Sequence, residues 1–444
     1  MGQDWDEAFS LPDTNRAQAG LASLTLMISE VSMRFLHTSD IHLGQRFHRR
    51  DRQREHNEYL TWLRDRFVES QCDAVLIAGD VYDVASPPSY AREQLAGFVH
   101  DIRKAGGQLI IMGGNHDSPL TLSENLKPWG LLSALVIPGI APEEPGANVH
   151  VISKRDGTPG MVLCAVPFIH ERQIVRSVAG QSDEERRGAL GKAIAQYYRD
   201  IYAAAQAKLE ELDLALPIVA TGHLTTVGAS SSESVKEIYV GNLDAFPTDL
   251  LPPADYVALG HIHRSMKVGG HEHVRYCGSP IALSFDELNR EKEVLLVDFG
   301  AERTLNVEPI SVPRFQGMGR ISASIDGFAE ALETYLAENP ADPDRPTWLE
   351  VAITDAGYLP DLGERIGQLV EGRPVEVLRI SSSRRGQGDA GIDAMPEALD
   401  QLTPGQVFES LLEKRGKDVP PDRLPRVREL FTAVAAEVQE RMGQ

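Results

Sequence analysis

The chain has 444 residues and carries 44 Lys and Arg against 65 Asp and Glu, a formal net charge of −21. That length predicts two or three domains with ample chain for a core, and three scattered cysteines (Cys72, Cys164, Cys277) exclude a disulfide framework and a four-cysteine zinc site. No apolar run approaches the roughly 20 residues of a membrane helix, the acidic start has the wrong charge for a signal peptide, and the acid excess speaks against coating nucleic acid by bulk charge.

Residues 1–32 hold one Arg against five acids without a sustained period, and read either as a disordered extension or, with Met27 and Met33 both available, as a mis-called start. From Met33 the texture changes. Short β-rich runs end in polar clusters: MRFLHTSD (33–40), DAVLIAGD (73–80), QLIIMGGNHD (108–117), MVLCAVPF (161–168), PIVATGH (217–223) and DYVALGH (255–261). Helical patterns over 52–70, 90–104 and 184–212 lie between several of them. Strands alternating with helices predict an α/β sheet covered on both faces, occupying residues 33–300. Ligands of such sheets bind beyond the carboxyl ends of the strands, where these polar clusters fall.

A smaller α+β unit is expected over 301–385. GRISASID (319–326), a helix over 327–338, WLEVAIT (348–354), a helix over 361–371 and VEVLRISSS (375–383) read β-α-β-α-β. A Gly- and Asp-rich linker (386–401) leads to a tail over 402–444. That tail reads as helical, starting at Thr403-Pro404 and broken at Val419-Pro420-Pro421.

Five strand ends carry groups that bind hard or borderline metals: Asp40-Ile41-His42, Gly79-Asp80, Gly114-Asn115-His116-Asp117, Gly222-His223 and Gly260-His261-Ile262-His263. The sixth, at Pro167, carries nothing obvious. Asp-x-His and His-x-His place two side chains on one side of an extended segment, because side chains alternate with period two. The glycines before them let the backbone turn tightly and approach an ion. Singly, each motif has a bland explanation as a turn or a hydrogen-bonded loop histidine. Five together, each ending a buried strand, point to a metal site. Carboxylates, an amide oxygen and imidazoles suit Mn²⁺, Fe²⁺ or Zn²⁺, and the lack of thiolates disfavours structural zinc.

This series resembles the signature of the calcineurin-like metallophosphoesterases. LHTSDIHLGQ (36–45), GDVYDVASPPSYAR (79–92), ATGHLTTVGAS (220–230), ALGHIHR (258–264) and RYCGSPIALSFDE (275–287) resemble, more narrowly, the SbcD family of bacterial nuclease subunits. The resemblance runs from Met33 to about residue 300, continues more loosely beyond, and omits 1–32. It implies a two-sheet α/β sandwich with a smaller capping domain. It also implies two divalent ions, typically Mn²⁺: Asp40, His42 and His263 would hold one, Asn115, His223 and His261 the other, with Asp80 bridging. The pair would activate a hydroxide for in-line attack on a phosphodiester. His116 would be catalytic, orienting or protonating the departing oxygen, and Asp117 would hold His116 in orientation. Relatives from archaea and eukaryotes carry a histidine where this chain has Asp83, which is left either as a support behind the ligands or as a turn cap.

The resemblance further implies 3′→5′ exonuclease action on duplex ends and endonuclease action on single strands and hairpins, in DNA repair, recombination and replication. The implied partner is an SbcC-like SMC-type ATPase with a long coiled coil, in a heterotetramer built on a homodimer of this chain. The implied location is cytoplasmic and nucleoid-associated, with no membrane contact. The apolar stripe of the tail (Phe408, Leu411, Leu412, Leu430, Phe431, Val434) would dock on that coiled coil, or else pack on the chain's own second domain. RFHRRDRQR (46–54) holds five arginines and one acid. Arg46, Arg49, Arg50 and Arg52, with Arg264 after His263, are candidate phosphate contacts, against the plainer reading of a solvated surface. His37, His56, His100, His150, His170, His271 and His273 read as structural or surface residues. A metallophosphatase or cyclic-nucleotide phosphodiesterase would use the same ligands, and is the alternative.

Overall fold

A computed structural model of the protein describes residues 33–124, 126–175, 182–227, 245–340, 342, 344–355 and 361–382. The extension over 1–32, the linker and the tail with its apolar stripe lie outside the described residues. The described strands, in chain order, are β1 (Met33–Thr38), β2 (Arg46–Phe47), β3 (Arg50–Asp51), β4 (Ala74–Ala78), β5 (Gln108–Met112), β6 (Leu135–Ile137), β7 (Val149–Ser153), β8 (Pro159–Cys164), β9 (Ile218–His223), β10 (Tyr256–Gly260), β11 (Met266–Val268), β12 (His271–Tyr276), β13 (Glu293–Phe299), β14 (Leu305–Ser311), β15 (Met318–Ala323), β16 (Thr347–Ile353) and β17 (Val375–Ser382).

Two six-stranded sheets make up the first unit, one in the order β14-β13-β1-β4-β5-β6 and the other β11-β12-β10-β9-β8-β7. Four consecutive strands of each are parallel: β1, β4, β5 and β6 in the first, β8, β9, β10 and β12 in the second. Alternation then sorts each strand's side chains into layers. Phe35, Leu76, Ile110 and Met112 face inward against Leu163, Val219, Tyr256 and Ala258 of the other sheet. Val75, Ile77, Leu109 and Ile111 face outward to Leu63, Phe67, Leu95 and Phe98 on the helices Gln53–Glu69 and Ser89–Lys104. Cys164, Ala220, Val257 and Leu259 meet Leu190, Ile194, Tyr198 and Ile201 on the helix Asp183–Leu212. The four layers are thus helix, sheet, sheet, helix, the sandwich that the resemblance implied.

The first compact unit extends to Gly319, past the boundary expected at residue 300. The cause is β14, which pairs along its whole length with β13 as the outer strand of the first sheet. The second unit, from Arg320, carries the expected β-α-β-α-β order. Its strands lie β15-β16-β17, and Leu349, Val351 and Ile353 pack with Phe328, Leu332 and Ile366 of the helices Phe328–Glu338 and Leu362–Val370.

Candidate metal centre

The carboxyl ends of β1, β4, β5, β9 and β10 converge at one side of the sandwich. Cross-links between the sheets hold them there. His223 Nδ1 at the end of β9 donates to the Ala78 carbonyl on β4 (2.9 Å), and the His261 N–H after β10 donates to the Asp40 carboxylate after β1 (3.0 and 3.1 Å). The turn after β1 is tied to the turn after β4 by Asp40 N–H to Gly79 O (3.0 Å) and His42 N–H to Asp80 O (3.1 Å).

Four residues here have positive φ: Asp40 (52°), His42 (51°), Asp80 (48°) and His261 (89°). Asp and His tolerate the left-handed region better than most residues, but each still carries strain of order 1 kcal/mol that the surrounding hydrogen bonds must hold. Only Gly79 among the strand-end glycines needs its conformational freedom, at φ 101°. Gly260 is required for space instead: a Cβ there would sit 2.1 Å from the Ala78 carbonyl oxygen.

Three groups of donor atoms form here: the triads Asp40, His42 and His263 and Asp80, His223 and His261 lie side by side, and His42, Asp83 and His116 overlap the first at His42. All six residues of the two triads are buried. Asp80 Oδ2 lies between them, 3.2 Å from His223 Nε2 and 3.7 Å from His42 Nε2. The half-buried Asn115 turns Oδ1 toward His223 Nε2 and His261 Nδ1, at 3.0 Å each. His263 Nε2 lies 4.0 Å from Asp40 Oδ1. His42 Nε2 is buried with no hydrogen-bond partner among the described residues. A buried polar atom in that state is costly unless something binds it. The donor set of oxygen and imidazole nitrogen, with that orphaned nitrogen aimed at Asp80, fits two divalent cations.

The electrostatics have the same two-fold character. Burial works against a charge on His42, but Asp83, Asp80 and Asp40 outweigh it and raise the imidazole to about 9. Burial likewise opposes His223, and Asp80 beside it raises that ring to about 9. Burial and the neighbouring His223 push His261 down to about 3. Despite its burial, Asp80 is held well below the usual carboxylate range by His223, His116 and His42. Asp80 thus favours positive charge on both rings that flank it, as it would favour cations there.

Of the residues around the triads, Asp83 takes one of the two places left open for it, and two others are placed differently from expectation. Asp83 is a support: Oδ1 accepts from His42 Nδ1 at 3.1 Å, and its carbonyl accepts from His116 Nδ1 at 2.6 Å. Asp117 does not hold the His116 ring. Its carboxylate accepts the N–H groups of Val81, Tyr82 and Gly114 (2.8–3.1 Å), so it fixes the loops that carry Asp80 and Asn115. Adjacency of the two residues in sequence says nothing of where their side chains point, which is the reason for the difference. Arg52 is also no surface cation. It is 1% exposed, paired with Glu55 (2.7 Å) and bound to Gln45 and the Ala282 carbonyl, because the Arg46–Asp51 hairpin turns it inward.

Arg46, Arg49 and Arg50 are exposed on that hairpin, which begins four residues after His42. Its two-residue turn, His48–Arg49, has φ of 46° and 70°, as a tight hairpin of mirror-image turn type needs. Phe47 pins it from below, ring to ring with Phe285 at 5.0 Å. Arg264 is exposed after His263. Two neighbours of the ligands end the runs MVLCAVPF and RYCGSPIALSFDE but are not among the expected site residues: Phe168, whose half-buried ring meets His223 edge-on at 6.3 Å, and Glu287, 3.3 Å from His263 Nδ1. Among the bland histidines, His37 is structural: buried between the sheets, it contacts the Tyr256 hydroxyl at 2.9 Å, and burial pushes it down to about 3.

Residues 33–265 match the calcineurin-like phosphoesterase family, and residues 314–416 match the family described as the type 5 capsule protein repressor C-terminal domain. The SbcD subunit of the nuclease SbcCD of Escherichia coli K12 is 43% identical over 400 residues, which cover 90% of this chain and 97% of that one. The chain belongs to the SbcD family of calcineurin-like metallophosphoesterases. The SbcD-family relative from Rhodobacter capsulatus is 30% identical over 394 residues (85% of this chain, 93% of that one), and the one from Bacillus subtilis 28% over 270 (60% and 66%). As an SbcD-family protein, this chain is a metal-dependent phosphodiester hydrolase. No helix of the described residues is long and apolar enough to cross a membrane.

Proposed function

We propose that this chain is the nuclease subunit of an SbcCD-like complex. It would degrade duplex DNA from 3′ ends and cut single strands and hairpins, in repair, recombination and replication. The observation that carries the reading is the convergence of Asp40, His42, Asp80, Asn115, His223, His261 and His263 on two adjoining donor sets, with His116 beside them. Asp40, His42 and His263 would hold one Mn²⁺, and Asn115, His223 and His261 the other, with Asp80 between. When bound, the ions supply a Lewis-acid clamp on the phosphodiester and activation of water near neutral pH.

The chain's own groups do the rest. The His116 N–H donates to Asp80 Oδ1 (2.9 Å), which locks the His116 backbone to the bridging carboxylate. Its Nδ1 donates to the Asp83 carbonyl, so Nε2 is the nitrogen that exchanges protons. Burial lowers the affinity of this ring for a proton. A phosphodiester beside it brings negative charge that favours protonation, and Nε2 then delivers that proton to the departing oxygen. Arg46, Arg49, Arg50 and Arg264 would position the backbone phosphates.

The −21 charge gives this subunit little means of holding a duplex by itself. An SbcC-like coiled-coil ATPase would supply the larger duplex surface, docked on the 402–444 tail, in a heterotetramer with two copies of this chain in the cytoplasm, at the nucleoid. The test uses full-length protein with Mn²⁺, alone and with that ATPase, on end-labelled duplex and hairpin DNA. Shortening of the duplex from its 3′ ends is expected. Turnover of a small phosphomonoester or a cyclic nucleotide with no DNA cutting would instead establish the phosphatase or phosphodiesterase alternative.

A further inference from the structure

The segment after β12 returns to the metal centre from behind. There Glu287 is fully enclosed and bound on both oxygens. Oε1 lies 3.3 Å from His263 Nδ1, while Oε2 accepts from Lys292 Nζ (2.6 Å), the Leu283 N–H (3.1 Å) and Ser279 Oγ (3.3 Å). Lys292 Nζ closes the loop, donating to Ser279 Oγ at 2.7 Å and to the His263 carbonyl at 3.2 Å. One buried ion pair therefore grips both the ring and the backbone of His263. A cavity of ≈ 410 Å³ lined by Glu55, Glu287, Arg290, Lys292 and Arg314 opens beside it. Lys292 is 11% exposed and Glu287 0%, so the ammonium is partly open to solvent while the carboxylate is enclosed by protein.

This arrangement has a direction. With Nδ1 donating to Glu287, the lone pair of His263 sits on Nε2, the nitrogen that faces Asp40. A carboxylate behind an imidazole fixes its tautomer, aims its other nitrogen and makes that nitrogen a stronger donor to a cation. Lys292 pulls on the same carboxylate from the opposite side.

We infer that Glu287 is the positioning residue of the Asp40–His42–His263 metal site, and that Lys292 moderates it. This rests on the two-ion reading above. Glu287 and Lys292 then act with opposite sign on metal affinity, although they act with the same sign on folding. Removing the Glu287 charge frees the His263 ring and leaves Lys292 buried without its partner. Removing the Lys292 charge destabilises the fold as well, yet leaves Glu287 Oε1 on His263 Nδ1 and Oε2 on the Leu283 N–H and Ser279 Oγ, with no ammonium drawing on the carboxylate.

The experiment titrates Mn²⁺ alone into metal-free full-length protein by calorimetry, with thermal unfolding followed in parallel. Wild type should bind two equivalents. E287Q should bind one of them about 10–100-fold more weakly and leave the other unchanged. K292M should bind both at least as tightly as wild type. E287Q/K292M, with both charges gone, should unfold closer to wild type than either single variant while keeping the weak site. That double variant keeps the comparison open should a single one not fold. Equal affinities in wild type and E287Q, or equal losses in E287Q and K292M, would overturn the inference alone. Failure of wild type to bind Mn²⁺ would overturn the two-ion reading and this inference with it.

Discussion

Asp83 Oδ1 stands 3.1 Å from His42 Nδ1, on the opposite side of the ring from Asp80 Oδ2. Asp83 thus takes the place that a supporting carboxylate takes behind a metal-bound histidine, not that of a turn cap. Removing it should loosen the ring without removing a ligand. D83A is expected to bind Mn²⁺ about 10–100-fold more weakly, with D83N intermediate because its amide oxygen still accepts from Nδ1. Calorimetry measures the loss. Diester hydrolysis should largely return at saturating Mn²⁺, because the bond to His116 comes from the Asp83 backbone and survives both substitutions.

His116 should separate from the metal ligands in the reverse manner. Its ring meets His42 edge-on, with centroids 4.6 Å apart, but its Nδ1 is committed to a carbonyl. H116A is expected to keep two equivalents of Mn²⁺ while DNA cleavage falls by about 10²–10⁴-fold, the usual worth of a positioned proton donor. H223A should lose metal and activity together, because His223 belongs to the Asp80–His223–His261 donor set. Elemental analysis of the dialysed proteins, set beside their cleavage rates, distinguishes the two behaviours.

The strand ends were legible because two signals coincided there, a buried apolar run and an abrupt change to ligand-type residues. The supports were not. Glu287 lies 24 residues from His263 in sequence, and only the return of the chain after β12 brings the two together. Arg52 stands among arginines that composition cannot tell apart; the hairpin turns this one toward Glu55. The first unit ends later than expected because β14 is a largely exposed edge strand with no buried stripe to read. The β-α-β-α-β order of the second unit was legible because its central strand β16 is almost wholly buried and its helices are amphipathic.

Protons on His42 and His223 compete with metal. Both rings are raised to about 9 by the carboxylates around them, so each must give up a proton when a cation takes its nitrogen. Lowering pH from 9 therefore weakens Mn²⁺ binding, and raising it toward 9 strengthens binding, by up to about tenfold per pH unit for each proton displaced. Titrations at pH 6.5, 7.5 and 8.5, in buffers of different ionisation enthalpy, should show proton release approaching two per protein at the lower pH. Affinity that does not change over this range would mean that the two rings bind metal without being deprotonated, and would count against the assignment of His42 and His223 as ligands.

Arg52 and its neighbours on the hairpin should part company in DNA binding. Arg46, Arg49 and Arg50 are exposed there, on a turn pinned by Phe47 against Phe285. Charge-removing variants at these three positions should leave thermal unfolding nearly unchanged. They should weaken duplex binding and flatten its dependence on salt, by about 0.9 in log–log slope for each phosphate that is no longer neutralised. R52A should do the opposite. Arg52 and Glu55 form a buried pair with side chains 0% and 5% exposed, and removing one member strands the other charge, at a cost of about 3–5 kcal/mol in stability. Its salt slope, measured on protein that remains folded, should match wild type, because an enclosed guanidinium has no phosphate to release. A flattened slope in R52A with unchanged stability would place Arg52 on the DNA-facing surface instead.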